Sequence, residues 1–375
     1  MKTIAEIFAD NLKCRRRELG LTQQKLAELI GYSEKSISKW ESGAAIAPSS
    51  VLPLLAKHLL TDIDSLLHSP ESPVYYLGID GGGTKTEFLL VSESGEKIAH
   101  AILGASNPVD IGMTEALNIL SIGSGSVCGD IPKSKISVFA GIAGGITGEN
   151  KKAISAFLKK GRFAAFDNGS DAQNAVASAL GKENGTVVIM GTGVIAFSQI
   201  DGALHRRGGF GYLFEEGGSG YAIGRDAITA ALYDDEGYGE HTMLTSLIKE
   251  RLGAACLLKK LSHFYDGGKR EIASYAPLVY KAYRENDSVA CRIIENNAKC
   301  VAKLIESTPV TDKKSKRQAV VLMGGQVRDA DIIIPLINKH LNDPIGYEIT
   351  VNKNAQVLGA IRLAGLADIT EDKNA

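Results

Sequence analysis

The chain has 375 residues, 44% of them hydrophobic and 23% charged, with a formal net charge of −1. That composition is ordinary for a folded chain of two to three domains. No global field steers it to nucleic acid or membrane, so any DNA contact must come from a local patch.

Glycine is in excess, 41 residues, or about 11% against roughly 7% on average. Proline is only 10 and no segment is of low complexity, so the excess marks backbone positions that need glycine's freedom. Cys14, Cys128, Cys256, Cys291 and Cys300 form no C-x-x-C pair and are odd in number, which reads as reduced thiols of a cytoplasmic protein. Glu6 and Asp10 interrupt the first residues, which therefore lack a signal-peptide core. The longest mostly apolar stretch, Thr186 to Phe197, is broken by glycines and far short of the ~20 residues of a membrane span.

Residues 1–68 read as short helices. Thr22 caps a helix with Leu26, Ala27 and Ile30 on one face, and Gly31 stops it. Ser33 caps the next, which buries Ile37 and Trp40 and ends at Gly43. Leu52, Leu55, Ala56, Leu59, Leu60, Ile63, Leu66 and Leu67 complete a helical core. Helix, tight turn and second helix, with small Ala27 at the crossing, resemble the Cro-type (Xre family) helix-turn-helix. The resemblance implies a second helix in the major groove of a double-stranded DNA operator, presenting Glu34, Lys35, Ser38 and Lys39. Gln23 would meet the backbone or a base, and Arg15, Arg16 and Arg17 would meet phosphates. With 9 Lys+Arg against 8 Asp+Glu in this stretch, single-copy affinity is modest, and a homodimer on two half-sites is expected.

Two prolines and two serines over Ser69 to Pro73 suit a linker, set at 69–74. Beyond it lie 38 of the 41 glycines. Strands are expected at VYYLGID, TEFLLVSE, EKIAHAIL, KISVFAG, TVVIMG, VIAFSQI and AVVLMGG. Helices are expected at MTEALNIL, KKAISAFLKK, SDAQNAVASAL, REIASYAPLVYKAYREN and SVACRIIENNAKCVAKLIES. Strands followed by helices, twice over, suggest two α/β lobes. No repeat of solenoid period is visible.

The glycines gather at turns between strands. Asp80 ends a strand, Gly81, Gly82 and Gly83 turn, and Thr84 and Lys85 start the return. Such a hairpin lets backbone N–H groups and the Thr84 hydroxyl approach phosphates; Asp80 could hold Mg²⁺ through water, and Lys85 could add a charge. A strand follows rather than a helix, so neither a Walker A nor a Rossmann loop fits. Gly191, Thr192 and Gly193 form a second hairpin, and Gly324-Gly325 follows a late strand, where a flat base could lie on the backbone.

Two phosphate hairpins and a late glycine pair, in this order, resemble the sugar kinase–Hsp70–actin superfamily. GIDGGGTKT, SDAQNAVASAL, GTG, GGFGYLFEEGGSGYAIGRDAI and LGAIRLAG bring residues 75–367 closer to the BadF/BadG/BcrA/BcrD ATPase and N-acetylglucosamine kinase family. The resemblance implies a two-lobed, actin-like ATPase (ribonuclease H-like) fold behind the small all-α domain. Residues 75–184 with the C-terminal helix 356–370 would form one lobe and residues 185–355 the other. It further implies that Asp80, Thr84 and Thr192 handle Mg-ATP and that Gly324 and Gly325 line the adenosine site. Asp171 would be the base on a sugar hydroxyl, Asn107 a sugar ligand, and Gly208, Gly209 and Gly211 the sugar-side loop.

One departure stands out. The family's G-D-E-G-S-G reads Glu215-Glu216-Gly217-Gly218-Ser219-Gly220, which puts Glu216 where an aspartate is expected on the sugar side. An iron–sulfur branch of the family does not suit Cys128, which has no cysteine neighbour, and the histidines show no metal spacing. Lys313 to Gln318 reads as a solvated loop. The expected function is an ATP-dependent sugar or amino-sugar kinase fused to a DNA-binding domain. The alternative is a regulator whose kinase-like part only senses its ligand.

Overall fold

The structure, a computed structural model, describes residues 3–67, 73–215, 217–312 and 316–366. Most of the linker, Glu216, half of the Lys313–Gln318 loop and the end of the expected C-terminal helix lie outside the described residues.

The first unit is five helices: α1 (Ile4–Glu18), α2 (Gln23–Ile30), α3 (Glu34–Glu41), α4 (Leu52–His58) and α5 (Ile63–Leu67). The starts of α2 and α3 are fixed by side-chain caps. Thr22 Oγ1 accepts from Lys25 N at 3.0 Å and Ser33 Oγ from Ser36 N at 3.2 Å. Between them Gly31 takes φ 72°, the left-handed turn that ends α2. Phe8, Leu12, Leu26, Ile37, Leu55 and Leu66 are fully buried at the centre, each worth about 1.5–3 kcal/mol relative to exposure. Leu60 departs from the expected core: α4 stops at His58, and Leu60 turns outward at φ 51°, 66% exposed.

Two five-stranded sheets follow. The first opens with an antiparallel meander of β1 (Tyr75–Gly81), β2 (Lys85–Ser92) and β3 (Lys97–Gly104). Helices α6 (Pro108–Ile111) and α7 (Met113–Cys128) lead to β4 (Ile136–Ile142), α8 (Asn150–Lys160) leads to β5 (Ala165–Gly169), and α9 (Asp171–Leu180) leaves the sheet. The second repeats the plan with β6 (Gly185–Met190), β7 (Val194–Ile200) and β8 (Ala203–Gly208). The chain then runs through α10 (Gly220–Asp235), α11 (Met243–Leu252), α12 (Leu261–Ala273), α13 (Ala276–Arg284) and α14 (Ser288–Glu306). It returns to the sheet at β9 (Gln318–Met323), and α15 (Ala330–His340) leads to β10 (Tyr347–Val351).

The strand orders are β3-β2-β1-β4-β5 and β10-β9-β6-β7-β8. Each sheet has its first strand at the centre, an antiparallel hairpin on one side and two parallel strands on the other. The two halves are therefore one topology used twice, a repeat that leaves no periodic mark in the sequence. The last helix, α16 (Gln356–Leu363), returns to the first half. Val357, Leu358 and Ile361 bury against Leu89 and Val91, and Arg362 Nη1 donates to the Ala177 and Ser178 carbonyls of α9 at 2.8 Å. Gly359 makes this approach possible, since a Cβ there would stand 1.9 Å from the Asn174 carbonyl oxygen.

Candidate active site

The C-terminal ends of the central parallel strands converge on the N-terminus of α9. Asp80, at the end of β1, is opposite Glu87 in the hairpin register. Asn174, fully buried on α9, donates through Nδ2 to Asp80 Oδ1 (2.8 Å), the Ile79 carbonyl (3.1 Å) and the Gly141 carbonyl (3.2 Å). One amide thus ties β1, β4 and α9 together behind the carboxylate. Burial pushes Asp80 up to about 6 against the pull of Asn174, with the charges of Asp171 and Glu87 adding to the rise.

Asp171 is the first residue of α9. The N-cap is Ser170, held by Gln173 Oε1, which accepts from Ser170 N at 3.0 Å. Ser170 rather than Asp171 is the cap; Asp171 Oδ1 accepts from Ala172 N at 3.0 Å, and burial raises its pKa above the usual aspartate range. Two carboxylates with raised values, side by side at strand and helix ends, are a pair that a cation or a proton would stabilise.

The first hairpin closes with Gly82 N donating to Lys85 O at 2.9 Å, leaving Thr84 exposed at its tip. Lys85 Nζ is engaged by Glu87 Oε2 at 3.1 Å, so the charge expected at a phosphate is already paired. The second hairpin closes with Gly191 N donating to Gly193 O, and α10 anchors it through Gly220 N to Gly191 O at 2.8 Å. A cavity of about 430 Å³ opens beside it. Gly191, Thr192 and Gly325 line it, with Arg270, Ser274, Tyr280, Gln326, Arg328 and Asp329. Gly324 stands behind it at φ 102° and ψ −173°, and a Cβ there would come within 2.6 Å of the Met190 carbonyl oxygen. Tyr280 is 2% exposed and its hydroxyl has no hydrogen-bond partner among the described residues.

Of the residues expected on the sugar side, Asn107 caps α6, accepting from Val109 N at 3.0 Å and donating to Asp110 Oδ2 at 2.7 Å. Gly208 ends β8, and Gly209 and Gly211 follow at φ 71° and 91°. Phe210, Leu213 and Phe214 stand out from this loop, each at least 70% exposed. Glu215 folds back on the second hairpin, accepting from Val194 N and Gly211 N at 3.3 Å. Glu216 lies outside the described residues. Gly217, where the resemblance expects a glutamate, is tightly packed: a Cβ would stand 3.0 Å from Cys300 Sγ and 3.1 Å from Asn297 Oδ1, so those side chains would have to give by a few tenths of an ångström.

In the first unit Glu34, Lys35, Ser38 and Lys39 are all exposed along α3. Arg16 corrects the sequence reading, because it is not a surface group. Its Nε and Nη2 donate to the Glu41 carboxylate at 2.5 and 2.8 Å, and its Nη1 to the Leu21 carbonyl at 2.7 Å. Gln23 Nε2 joins at 2.7 Å on the same carboxylate, so that side chain too is anchored inward. Burial alone would raise Glu41; the hydrogen bonds from Arg16 and Gln23 outweigh it and hold the group below the usual glutamate range. Arg15 pairs with Glu18 at 3.1 Å, and Arg17 is exposed.

The cavity, Arg270 and Tyr280 were not found from sequence. They join segments near residues 191, 270–280 and 325–329, which only the tertiary fold unites. Arg16 did carry a signal: with Phe8 and Leu12 it keeps an i, i+4 spacing on the buried stripe of α1.

Two sheets of one topology, each ending in a glycine hairpin at a shared cleft, define an actin-like sugar-kinase fold, here behind a helix-turn-helix unit. The chain belongs to the BadF/BadG/BcrA/BcrD ATPase family, which residues 77–362 match, and residues 12–66 match a helix-turn-helix family. It is similar to an N-acetylmuramic acid/N-acetylglucosamine kinase of Clostridium acetobutylicum, 29% identical over 302 residues that cover 77% of this chain and 98% of that protein. The solved structure of a candidate N-acetylglucosamine kinase from Chromobacterium violaceum shares the fold at 22% identity and a TM-score of 0.60, over 77% of this chain and 98% of that one. A ROK family transcriptional regulator, homologous to the E. coli MLC protein, aligns over 97% of this chain and 96% of its own at 12% identity and a TM-score of 0.52. No helix among the described residues is long and apolar enough to cross a membrane.

Proposed function

We propose that the chain is an ATP-dependent amino-sugar kinase that also binds DNA as a regulator of sugar metabolism. The observation that carries the reading is the tie from Asn174 of α9 to Asp80 at the end of β1, which sets that carboxylate against the helix whose first residue is Asp171. The kinase names of its relatives supply the substrate class.

Asp171 would accept the proton of a sugar hydroxyl as its oxygen bonds to the γ-phosphorus and the bond to the β-phosphate oxygen breaks, leaving a phosphosugar and ADP. The two hairpins would hold the phosphates, and the cavity beside Gly324 and Gly325 the nucleoside. The donor set also suits Mg²⁺: no cluster of three ligating side chains stands among the described residues, and Mg²⁺ typically takes one or two carboxylates and otherwise phosphate and water. Asp80, whose second oxygen has no hydrogen-bond partner among the described residues, would hold it through water; when bound, the ion neutralises charge on the transferring phosphoryl group.

In the DNA reading, Glu34, Lys35, Ser38 and Lys39 would meet the major groove, with Arg15 and Arg17 at phosphates and two copies on two half-sites. A second reading, ligand sensing without turnover, draws on Gly217, which leaves the chain without the glutamate that the resemblance expects there. An ATP-consumption screen over hexoses and N-acetylhexosamines, N-acetylmuramic acid included, separates the two. Turnover that falls about 10²–10⁴-fold in Asp171→Asn supports the kinase; sugar binding without turnover leaves the sensor.

A further inference from the structure

Two phosphate hairpins face one cleft, yet neither carries an available cation, because Lys85 is paired with Glu87. The cation comes from elsewhere in the chain. Arg270, near the end of α12, lines the cavity beside Gly191 and Thr192 of the second hairpin. Its Nη2 also crosses to the other half of the molecule and donates to the Gly83 carbonyl, at the tip of the first hairpin, at 3.2 Å. That carbonyl is its only side-chain hydrogen-bond partner among the described residues, and no carboxylate pairs with it. A guanidinium presents five donors in a fork matched to phosphate oxygens. One peptide carbonyl leaves most of them unused.

The local backbone explains how the arginine reaches this place. Two residues earlier, Gly268 interrupts α12 at φ 61° and ψ −161°, a conformation essentially confined to glycine. The helix is broken there, two residues before the arginine that lines the cavity.

We propose that Arg270 is the phosphate-binding arginine of the cleft, contributed by one half of the molecule and closing on the terminal phosphates of a nucleoside triphosphate held by both hairpins. The inference rests on the nucleotide-binding part of the reading above and adds the residue that tells a triphosphate from a monophosphate.

The test is calorimetric titration of the full chain with Mg-ATP and, separately, with AMP. Loss of charge-assisted hydrogen bonds predicts that Arg270→Ala weakens Mg-ATP about ten- to hundredfold and leaves AMP unchanged. Arg270→Lys, which keeps the charge and loses the fork, should recover part of the loss. Unchanged ATP affinity in Arg270→Ala overturns the proposal. An equal loss for ATP and AMP also overturns it, since the side chain would then shape the nucleoside pocket or the fold. A wild-type chain that binds neither nucleotide overturns the underlying reading instead, and shows itself before any variant is made.

Discussion

Replacing Asp80 with asparagine should make the ligand-free protein more stable at neutral pH. The carboxylate ends a buried strand, receives one hydrogen bond from Asn174 and feels Asp171 and Glu87. Its pKa is about 6, against about 3.9 for an ordinary aspartate. Two pH units at about 1.4 kcal/mol each make ~3 kcal/mol of penalty for keeping it ionised above both values. Between about pH 4 and 6 the folded chain holds a proton that the unfolded chain has released, so wild-type stability falls as pH rises through that window. Asp80→Asn keeps the shape and the Asn174 bond and removes the charge. Its advantage should be near zero at pH 4 and reach about 2–3 kcal/mol at pH 7.5. Trp40 is the only tryptophan and lies in the first unit, so its emission reports that unit alone. Urea denaturation followed by far-UV circular dichroism, with Trp40 emission marking the first unit, isolates the two-sheet part. A variant less stable than wild type at pH 7.5, or an advantage of the same size at both pH values, would refute the reasoning. The variant should at the same time lose stabilisation by Mg-ATP.

Arg16→Ala strands the buried Glu41 carboxylate and should destabilise the first unit by about 3–5 kcal/mol, seen as an earlier Trp40 transition. Glu41 titrates low, so this pair's stability is present above the unfolded glutamate value and is lost as pH falls through the folded one. Gly324→Ala combines a forbidden backbone with a contact of 2.6 Å to the Met190 carbonyl; titration should show nucleotide affinity lost in a chain whose Trp40 transition is unmoved. Lys35→Ala, on the exposed face of α3, should reduce preference for operator over random DNA in gel shifts more than it reduces total affinity.

The central strands were readable because each is an apolar run bounded by glycine. The strands missed, β5, β8 and β10, are all sheet edges. There a strand can be short and polar, as Arg206 and Arg207 in β8 illustrate. The expected helix over 270–286 is two: α12 ends at Ala273, Tyr275 is fully buried against Phe264, and α13 starts with Pro277 in its first turn. Apolar spacing continued across the break and hid it. The glycine hairpins were legible because a turn without side chains is a local event. Arg270 was not, because its meaning lies in a carbonyl 187 residues away.

The return of α16 to the first half has a consequence for synthesis. The bundle of α1–α5 is complete by Leu67, so it can close its core while the ribosome is still making the sheets. The first sheet cannot complete its core, because α9 covers only part of one face and Val357, Leu358 and Ile361 of α16 reach Leu89 and Val91 only after the entire second half has been translated. A chain interrupted anywhere within the second half would therefore carry a finished helix-turn-helix unit tethered to an unfinished two-sheet part, and proteolysis of the latter would liberate the former.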